Sequence, residues 1–247
     1  MNILLVNDDG YASYGITRLA DALIERGASC IVVAPDKCKS GMSHAESFRK
    51  PVMVNTITGY NYPCYSVSGT PCDCVLIGLH IVEVIPDLIV SGVNAGTNLG
   101  TEIVYSGTVN AAIEGAIRGV KSVALSVDGN SLDAFDFAID DFISKFSLYT
   151  TMPSSDSAIS INYPRRDAWN NKRVLAVAGI RNYDERYTVT KSENSYIYVL
   201  DGMPLPDPNP ACDAKLFDEG YITITPLACD FTNYTRMGEL KSKWIKL

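Results

Sequence analysis

Histidine is almost absent from this chain: only His44 and His80 occur among 247 residues. The seven cysteines, at positions 30, 38, 64, 72, 74, 212 and 229, follow no regular spacing. Zinc sites draw on clustered His and Cys, and this sequence offers no such cluster. The cysteine number is odd, and Cys72-Asp73-Cys74 is C-x-C rather than C-x-x-C, so neither a closed disulfide framework nor a redox motif is expected. Basic residues are also short, with 21 Lys and Arg against 28 Asp and Glu and a net charge of −7. Sequence-independent nucleic-acid binding runs on Lys and Arg displacing counterions, which excludes a nucleic-acid polymer as partner. Long hydrophobic runs are missing too. The N-terminal run Ile3–Val6 passes directly into Asn7-Asp8-Asp9, unlike a signal peptide, and no window approaches the ~18 apolar residues of a membrane span. Reduced thiols, a cytoplasmic location and no membrane partner are the expectation.

What is present is a globular composition, 47% hydrophobic and 20% charged, long enough to bury a full core. Through residue 130 short apolar runs alternate with helical periods, the mark of βαβ units and a parallel sheet. Strands are predicted at 3–6, 31–34, 86–91 and 122–126. Helices are predicted at 15–26, at 71–79 with Pro at its first turn, at 108–119, and from a Ser131 cap to 149. After Thr151 the texture changes. Strands are expected at 158–162, 173–178 and 221–225, and a long hairpin over 183–200. The stretch with Pro204, Pro206, Pro208 and Pro210 must be extended, and a short amphipathic helix carrying Met237, Leu240, Trp244 and Ile245 is expected in the tail. The expected organisation is a core over 1–150 carrying the chemistry and a segment over 151–247 of further strands, hairpin and oligomerisation tail, together one continuous domain.

Chemistry concentrates at predicted strand ends. Asn7-Asp8-Asp9-Gly10 follows the first buried strand, and ligands of open α/β sheets bind beyond the carboxyl ends of strands. Two adjacent carboxylates repel unless a cation sits between them, which suggests a hard divalent ion. The competing reading is that Asp8 and Asp9 merely form a turn and cap the next helix. Two further loops should emerge on the same edge: Pro35 to Gly41, and Ser91 to Gly100 with its three glycines and two Asn. Finally Tyr105-Ser106-Gly107-Thr108 opens a helix whose free N–H groups and hydroxyls suit an anion, although plain capping needs only one of them. His44, a lone loop histidine, is expected to be solvated, Cys72 and Cys74 to pack, and Trp169 and Trp244 to serve packing or an interface rather than base stacking.

Taken together, ILLVNDDGY (3–11), Val33–Asp36 with Ser40-Gly41, GTPCDCV (69–75), Pro86–Gly100, YSGTVNAAIEG (105–115) and GYITITPL (220–227) resemble the stationary-phase survival protein (SurE) family of metal-dependent nucleotide phosphatases. The resemblance is dense through residue 130 and patchy beyond. It implies a Rossmann-like three-layer α/β/α sandwich with a C-terminal hairpin and tail extension. It also implies a 5'-nucleotidase acting on nucleoside 5'-monophosphates, with 3'-monophosphates and short polyphosphate as further substrates. One Mg²⁺ or Mn²⁺ per subunit would be held by Asp8, Asp9, Ser40 and Asn94. Phosphate would be bound by Asn98, Ser106, Gly107 and Thr108, with Asp8, Asp9 and Ser106 as catalytic residues. Assembly would be a homodimer or homotetramer built through C-terminal segments. Departures fall at Lys191-Ser192-Glu193-Asn194, where the family often has D-P-R-G, and at Ala211-Cys212-Asp213 in place of a G-T-D segment. Two other readings compete: a Mg²⁺-binding receiver-like signalling module, which wants an Asp where Ser91-Gly92-Val93-Asn94 stands, and an inactive nucleotide-binding protein.

Overall fold

The computed structural model describes residues 1–244. Its elements, in chain order, are β1 (Asn2–Val6), α1 (Tyr14–Glu25), β2 (Ser29–Pro35), β3 (Val54–Ile57), β4 (Cys64–Val67), α2 (Pro71–Ile81), β5 (Leu88–Ala95), a 3₁₀ turn (Gly100–Val104), α3 (Gly107–Ile117), β6 (Ser122–Val127), α4 (Leu132–Ser144) and α5 (Phe146–Tyr149). There follow β7 (Ser157–Tyr163), β8 (Arg173–Leu175), β9 (Arg186–Lys191), β10 (Tyr196–Asp201), α6 (Asp213–Asp218), β11 (Ile222–Ala228) and α7 (Tyr234–Trp244).

Nine strands form one sheet in the order β3-β4-β2-β1-β5-β6-β7-β11-β8. From β4 through β7 every pairing is parallel. β3 is antiparallel to β4, and β11 is antiparallel to β7 but parallel to β8. The central strands are apolar on both sides because both faces are covered. Ile3 and Leu5 of β1 join α1 and α4 residues such as Leu19 and Phe142 in one core. Leu4 and Val6 point the other way, into a core shared with Cys74, Val75 and Ala111 of α2 and α3. Three layers result, and the strand order reverses between β1 and β5, which is where such sheets open a crevice at their carboxyl edge.

Local sequence explains most helix starts. Thr70 accepts from the Asp73 N–H while the Asp73 carboxylate accepts from the Thr70 N–H, a capping box with Pro71 in the first turn. Ser106 caps α3 and Ser131 caps α4. The helix expected to run to 149 breaks at Lys145, which leaves the helical region between α4 and α5. The strand expected over 173–178 ends at Leu175, after which Val177 makes only a bridge to Cys212. In contrast, β5 extends beyond 91 to Ala95 through a register shift between Ser91 and Asn94. Gly92 makes that shift possible: its φ is +131°, and a Cβ there would lie 2.4 Å from the Leu125 carbonyl oxygen.

The hairpin forms as an isolated two-stranded unit, β9 with β10, and none of its strand residues is buried. The segment with alternating Pro carries no helix. In the tail, α7 exposes Met237, Leu240 and Trp244, while Ile245 lies outside the described residues. Cys72 and Cys74 pack in the core as expected, and Trp169 lies against Phe137 and under the Arg173 guanidinium.

Candidate active site at the carboxyl edge of the sheet

Three consecutive polar residues leave β1, and they divide their work. Asn7 builds the turn: its Nδ2 donates to the Gly10 carbonyl (2.9 Å) and to Ser13 Oγ (2.8 Å), while its Oδ1 accepts from the Gly10 N–H (3.1 Å). Ser13 then occupies the cap position of α1. Turn and cap are therefore made without Asp8 or Asp9, whose carboxylates stay available at the edge.

Each neighbouring loop is tied to this pair. The Lys39 N–H donates to the Asp8 carbonyl at 2.7 Å, which brings the loop after β2 alongside. The Ala95 N–H donates to Asp9 Oδ2 at 3.2 Å, joining the end of β5. Thr108 Oγ1, in the first turn of α3, donates to Asp8 Oδ1 at 2.5 Å. Gly107 leaves the room for that approach, since a Cβ on it would lie 3.0 Å from Asp8 Cβ, 3.1 Å from Asp8 Oδ2 and 2.9 Å from Pro71 Cγ. The structure thus gathers Asp8, Asp9, Gly107 and Thr108 directly. Ser40 is exposed on the adjoining loop, its Oγ 3.1 Å from Cys38 Sγ. Asn94 is buried, and its Nδ2 donates to the Gly96 carbonyl at 2.7 Å, which turns the carboxamide oxygen away from Gly96. Ser106 Oγ accepts from the Val109 N–H at 3.0 Å, and its own proton remains free to donate.

Asn98 sits farther along the glycine-rich loop, locked in place rather than free. Its N–H donates to Asn162 Oδ1 (2.8 Å), its Nδ2 donates to Ser126 Oγ (2.8 Å), and its carbonyl accepts from Asn162 Nδ2 (3.1 Å).

Electrostatically the pair is uncompensated. Among the described residues neither Asp8 nor Asp9 forms an ion pair. Burial pushes the Asp8 carboxyl up to about 6; the Thr108 hydrogen bond opposes this and the Asp9 charge adds to it. Asp9 is also raised, mainly by burial. Two partly desolvated carboxylates, with Ser40 and Asn94 on the two chain segments tied to them, offer oxygen donors, which a hard dication favours. Among the described residues no group of three or more His, Cys, Asp or Glu side chains is arranged for a metal.

Several supporting residues escaped sequence reasoning. Asn162 and Ser126, at the ends of β7 and β6, hold Asn98. Asp213, fully buried, accepts from the Gly100 N–H (2.9 Å), the Gly179 N–H (3.1 Å) and the Ala214 N–H (2.8 Å), fastening the far end of the glycine-rich loop to the C-terminal segment. The expectation of a solvated His44 is overturned: its Nε2 lies 2.7 Å from Oε2 of buried Glu114. That contact, together with Arg118, holds the Glu114 carboxyl below its ordinary range, the His44 hydrogen bond being the larger cause. Glu114 stands eight residues after Ser106, two turns and ~12 Å down the α3 axis, so His44 anchors the back of the Ser40 loop rather than the phosphate end. The loop is held a second time by Asp73, which accepts from the Ser47 N–H (2.8 Å) and Ser47 Oγ (2.7 Å).

A mostly parallel sheet with an acidic pair at its carboxyl edge, facing the first turn of a glycine-started helix, defines a Rossmann-like α/β protein with a polar candidate site at that edge. Comparison with known proteins narrows that class. The chain matches the family described as "Survival protein SurE" over residues 3–188. It is 35% identical to the 5'-nucleotidase SurE of Clostridium botulinum over 248 residues, covering 98% of each chain. It is 36% identical to the 5'-nucleotidase SurE of Thermosipho africanus, covering 99% of this chain and 98% of the relative. The crystal structure of the SurE protein from Aquifex aeolicus superposes with a TM-score of 0.84 at 33% identity, covering 98% of this chain and 99% of that one. The chain belongs to the SurE family, which leaves the receiver-like reading without support.

Proposed function

We propose that this chain is a metal-dependent 5'-nucleotidase, hydrolysing nucleoside 5'-monophosphates to nucleoside and phosphate. The observation that carries the reading is the convergence of Asp8 and Asp9 with Thr108 at the N-terminus of α3. Full-length similarity to curated 5'-nucleotidases supports it. One divalent cation per subunit, Mg²⁺ or Mn²⁺, is assigned to Asp8, Asp9, Ser40 and Asn94. When bound, such an ion draws electron density from a phosphoryl oxygen and lowers the pKa of water.

The chain's own part is binding and charge placement. Asn98, Ser106, Gly107 and Thr108 are assigned to the phosphate. Ser106 has one proton to give and gives it to an equatorial phosphoryl oxygen, while the first N–H groups of α3 face the same charge. Thr108 spends its hydroxyl proton on Asp8 and keeps that carboxylate oriented. Asp8, Asp9 and Ser106 are the catalytic residues of this scheme. 3'-Monophosphates and short polyphosphate are the further substrates assigned. The fully exposed hairpin and α7 support a homodimer or homotetramer built through the C-terminal segments. Free cysteines, and the lack among the described residues of any helix long and apolar enough to cross a membrane, support the cytoplasmic assignment. Phosphate release from a mononucleotide panel, with EDTA and with Mg²⁺ or Mn²⁺ restored, tests the proposal. Metal-dependent release supports it, and metal-independent release or none refutes it.

A further inference from the structure

Tyr105 immediately precedes the Ser106 cap, yet it is 66% exposed and serves no core. Its backbone is fixed: the N–H donates to the Glu102 carbonyl (3.0 Å), and the carbonyl accepts from the Ser43 N–H (3.0 Å). The ring borders a cavity of about 410 Å³ whose other walls are Tyr183, Glu185, Leu200, Asp201 and Gly202, at the foot of the β9–β10 hairpin. Tyr183 is held there by its hydroxyl, which donates to Glu102 Oε1, while Glu102 Oε2 accepts from the Leu99 N–H at 3.0 Å. Two aromatic rings thus stand over one cavity, each fastened to the short turn that leads into the phosphate helix. The volume falls within the range of small-ligand pockets. Its lining holds two carboxylates and no Lys or Arg, a poor receptacle for a second phosphate.

We infer that this cavity is the nucleoside subsite, with the base stacked on Tyr105 and Tyr183 and with Glu185 and Asp201 accepting hydrogen bonds from hydroxyl or amino groups. The inference rests on the phosphatase reading above. Tyr105 and Ser106 are consecutive, about 3.8 Å apart at Cα, so a phosphate at Ser106 would lie within the reach of one nucleoside of this cavity. Stacking on a tyrosine face tolerates every base, whereas the acidic rim disfavours nucleosides that carry a second phosphate on the sugar.

Kinetics of metal-loaded enzyme with AMP, ribose 5-phosphate and adenosine 3',5'-bisphosphate test this. Tyr105→Ala is expected to raise KM for AMP about tenfold or more, to leave kcat/KM for ribose 5-phosphate unchanged, and to be rescued by Tyr105→Phe. Glu185→Gln combined with Asp201→Asn is expected to improve kcat/KM for the bisphosphate relative to AMP. Equal losses on AMP and ribose 5-phosphate would make Tyr105 a prop of the phosphate loop, and wild-type enzyme that does not distinguish the two would show that no base is read. Either result overturns the subsite while leaving the phosphatase intact. Hydrolysis of neither compound removes the phosphatase reading, and the subsite with it.

Discussion

The carboxyl edge of the sheet and the C-terminal arm use polar and apolar side chains in opposite ways. At the edge, Asp8, Asn94, Asn98, Ser106 and Thr108 are all buried and mostly hydrogen-bonded within the chain. In the arm, Tyr187, Val189, Tyr198 and Leu200 share one face of the hairpin and stand in the open, as do Phe231, Met237 and Trp244 beyond β11. Buried polar groups need partners and exposed apolar faces seek them. The edge has found its partners inside the chain, but the arm has not. Architecture therefore predicts that chemistry is set within one subunit, and that the arm governs association and the mouth of the site.

The sharpest way to break this contrast is at Asp8 or Asp9. Asp8→Asn or Asp9→Asn is expected to lower turnover by about 10³-fold or more, with intact folding. For Asp8 the pH dependence follows from its carboxyl at about 6 against an ordinary 3.8. The folded chain binds the extra proton between those values, so its stability falls as pH rises through that window. Asp8→Asn in EDTA should accordingly gain up to about 3 kcal/mol at pH 8 and nothing at pH 3. Urea unfolding at both pH values checks the sign.

Ser106→Ala comes next, with a loss of about 10²–10³ in kcat. Thr108→Val should differ in kind, since its proton goes to Asp8: metal affinity should fall along with turnover, and Thr108→Ser should restore both. Parallel titrations of metal and substrate separate the two. A smaller effect is expected at Asp213→Asn, where an amide meets three backbone N–H donors. About 1–3 kcal/mol of stability should be lost, with a higher KM because Gly100 loosens near Asn98; thermal melts and steady-state kinetics read these separately. The smallest chemical effect belongs to the arm. Deleting residues 236–247 should reduce the oligomeric state in sedimentation while metal affinity stays unchanged, and a full-length chain that sediments as a monomer at micromolar concentration would contradict the assignment.

How far the sequence discloses this molecule depends on separation along the chain. Buried central strands and capped helices are legible because apolar runs, Pro71 and Ser131 act locally. The acidic pair stands out for the same reason. By contrast, β3 and β4 go unforeseen: each has four residues, and β3 has no buried residue from which periodicity could be read. The six-residue α6 is equally short. At the site, the missing residues are those whose partners are remote. Asn162 reaches Asn98 across 64 positions, His44 reaches Glu114 across 70, and Asp213 reaches Gly100 across 113. A single sequence carries no local mark of such pairings. Asn7 stands beside Asp8 and Asp9 in the sequence, but its side chain, not theirs, ties the turn, through bonds to Gly10 and Ser13 that no residue type announces.

The orientation of Asn94 has a consequence for charge balance. With its Nδ2 donating to the Gly96 carbonyl, Asn94 has an oxygen to offer that carries no charge. On the metal assignment proposed above, a dication held by Asp8 and Asp9 would bring the local formal charge to zero, where a third carboxylate would leave it at −1. On that assignment an incoming phosphate dianion would meet a cluster of zero formal charge, and the α3 N-terminus and Ser106 would share in balancing it, as dipoles rather than full positive charges. An Asn94→Asp enzyme is accordingly expected to hold its metal more tightly and to turn over more slowly, because the added charge repels phosphate; metal titration and steady-state kinetics check the two effects.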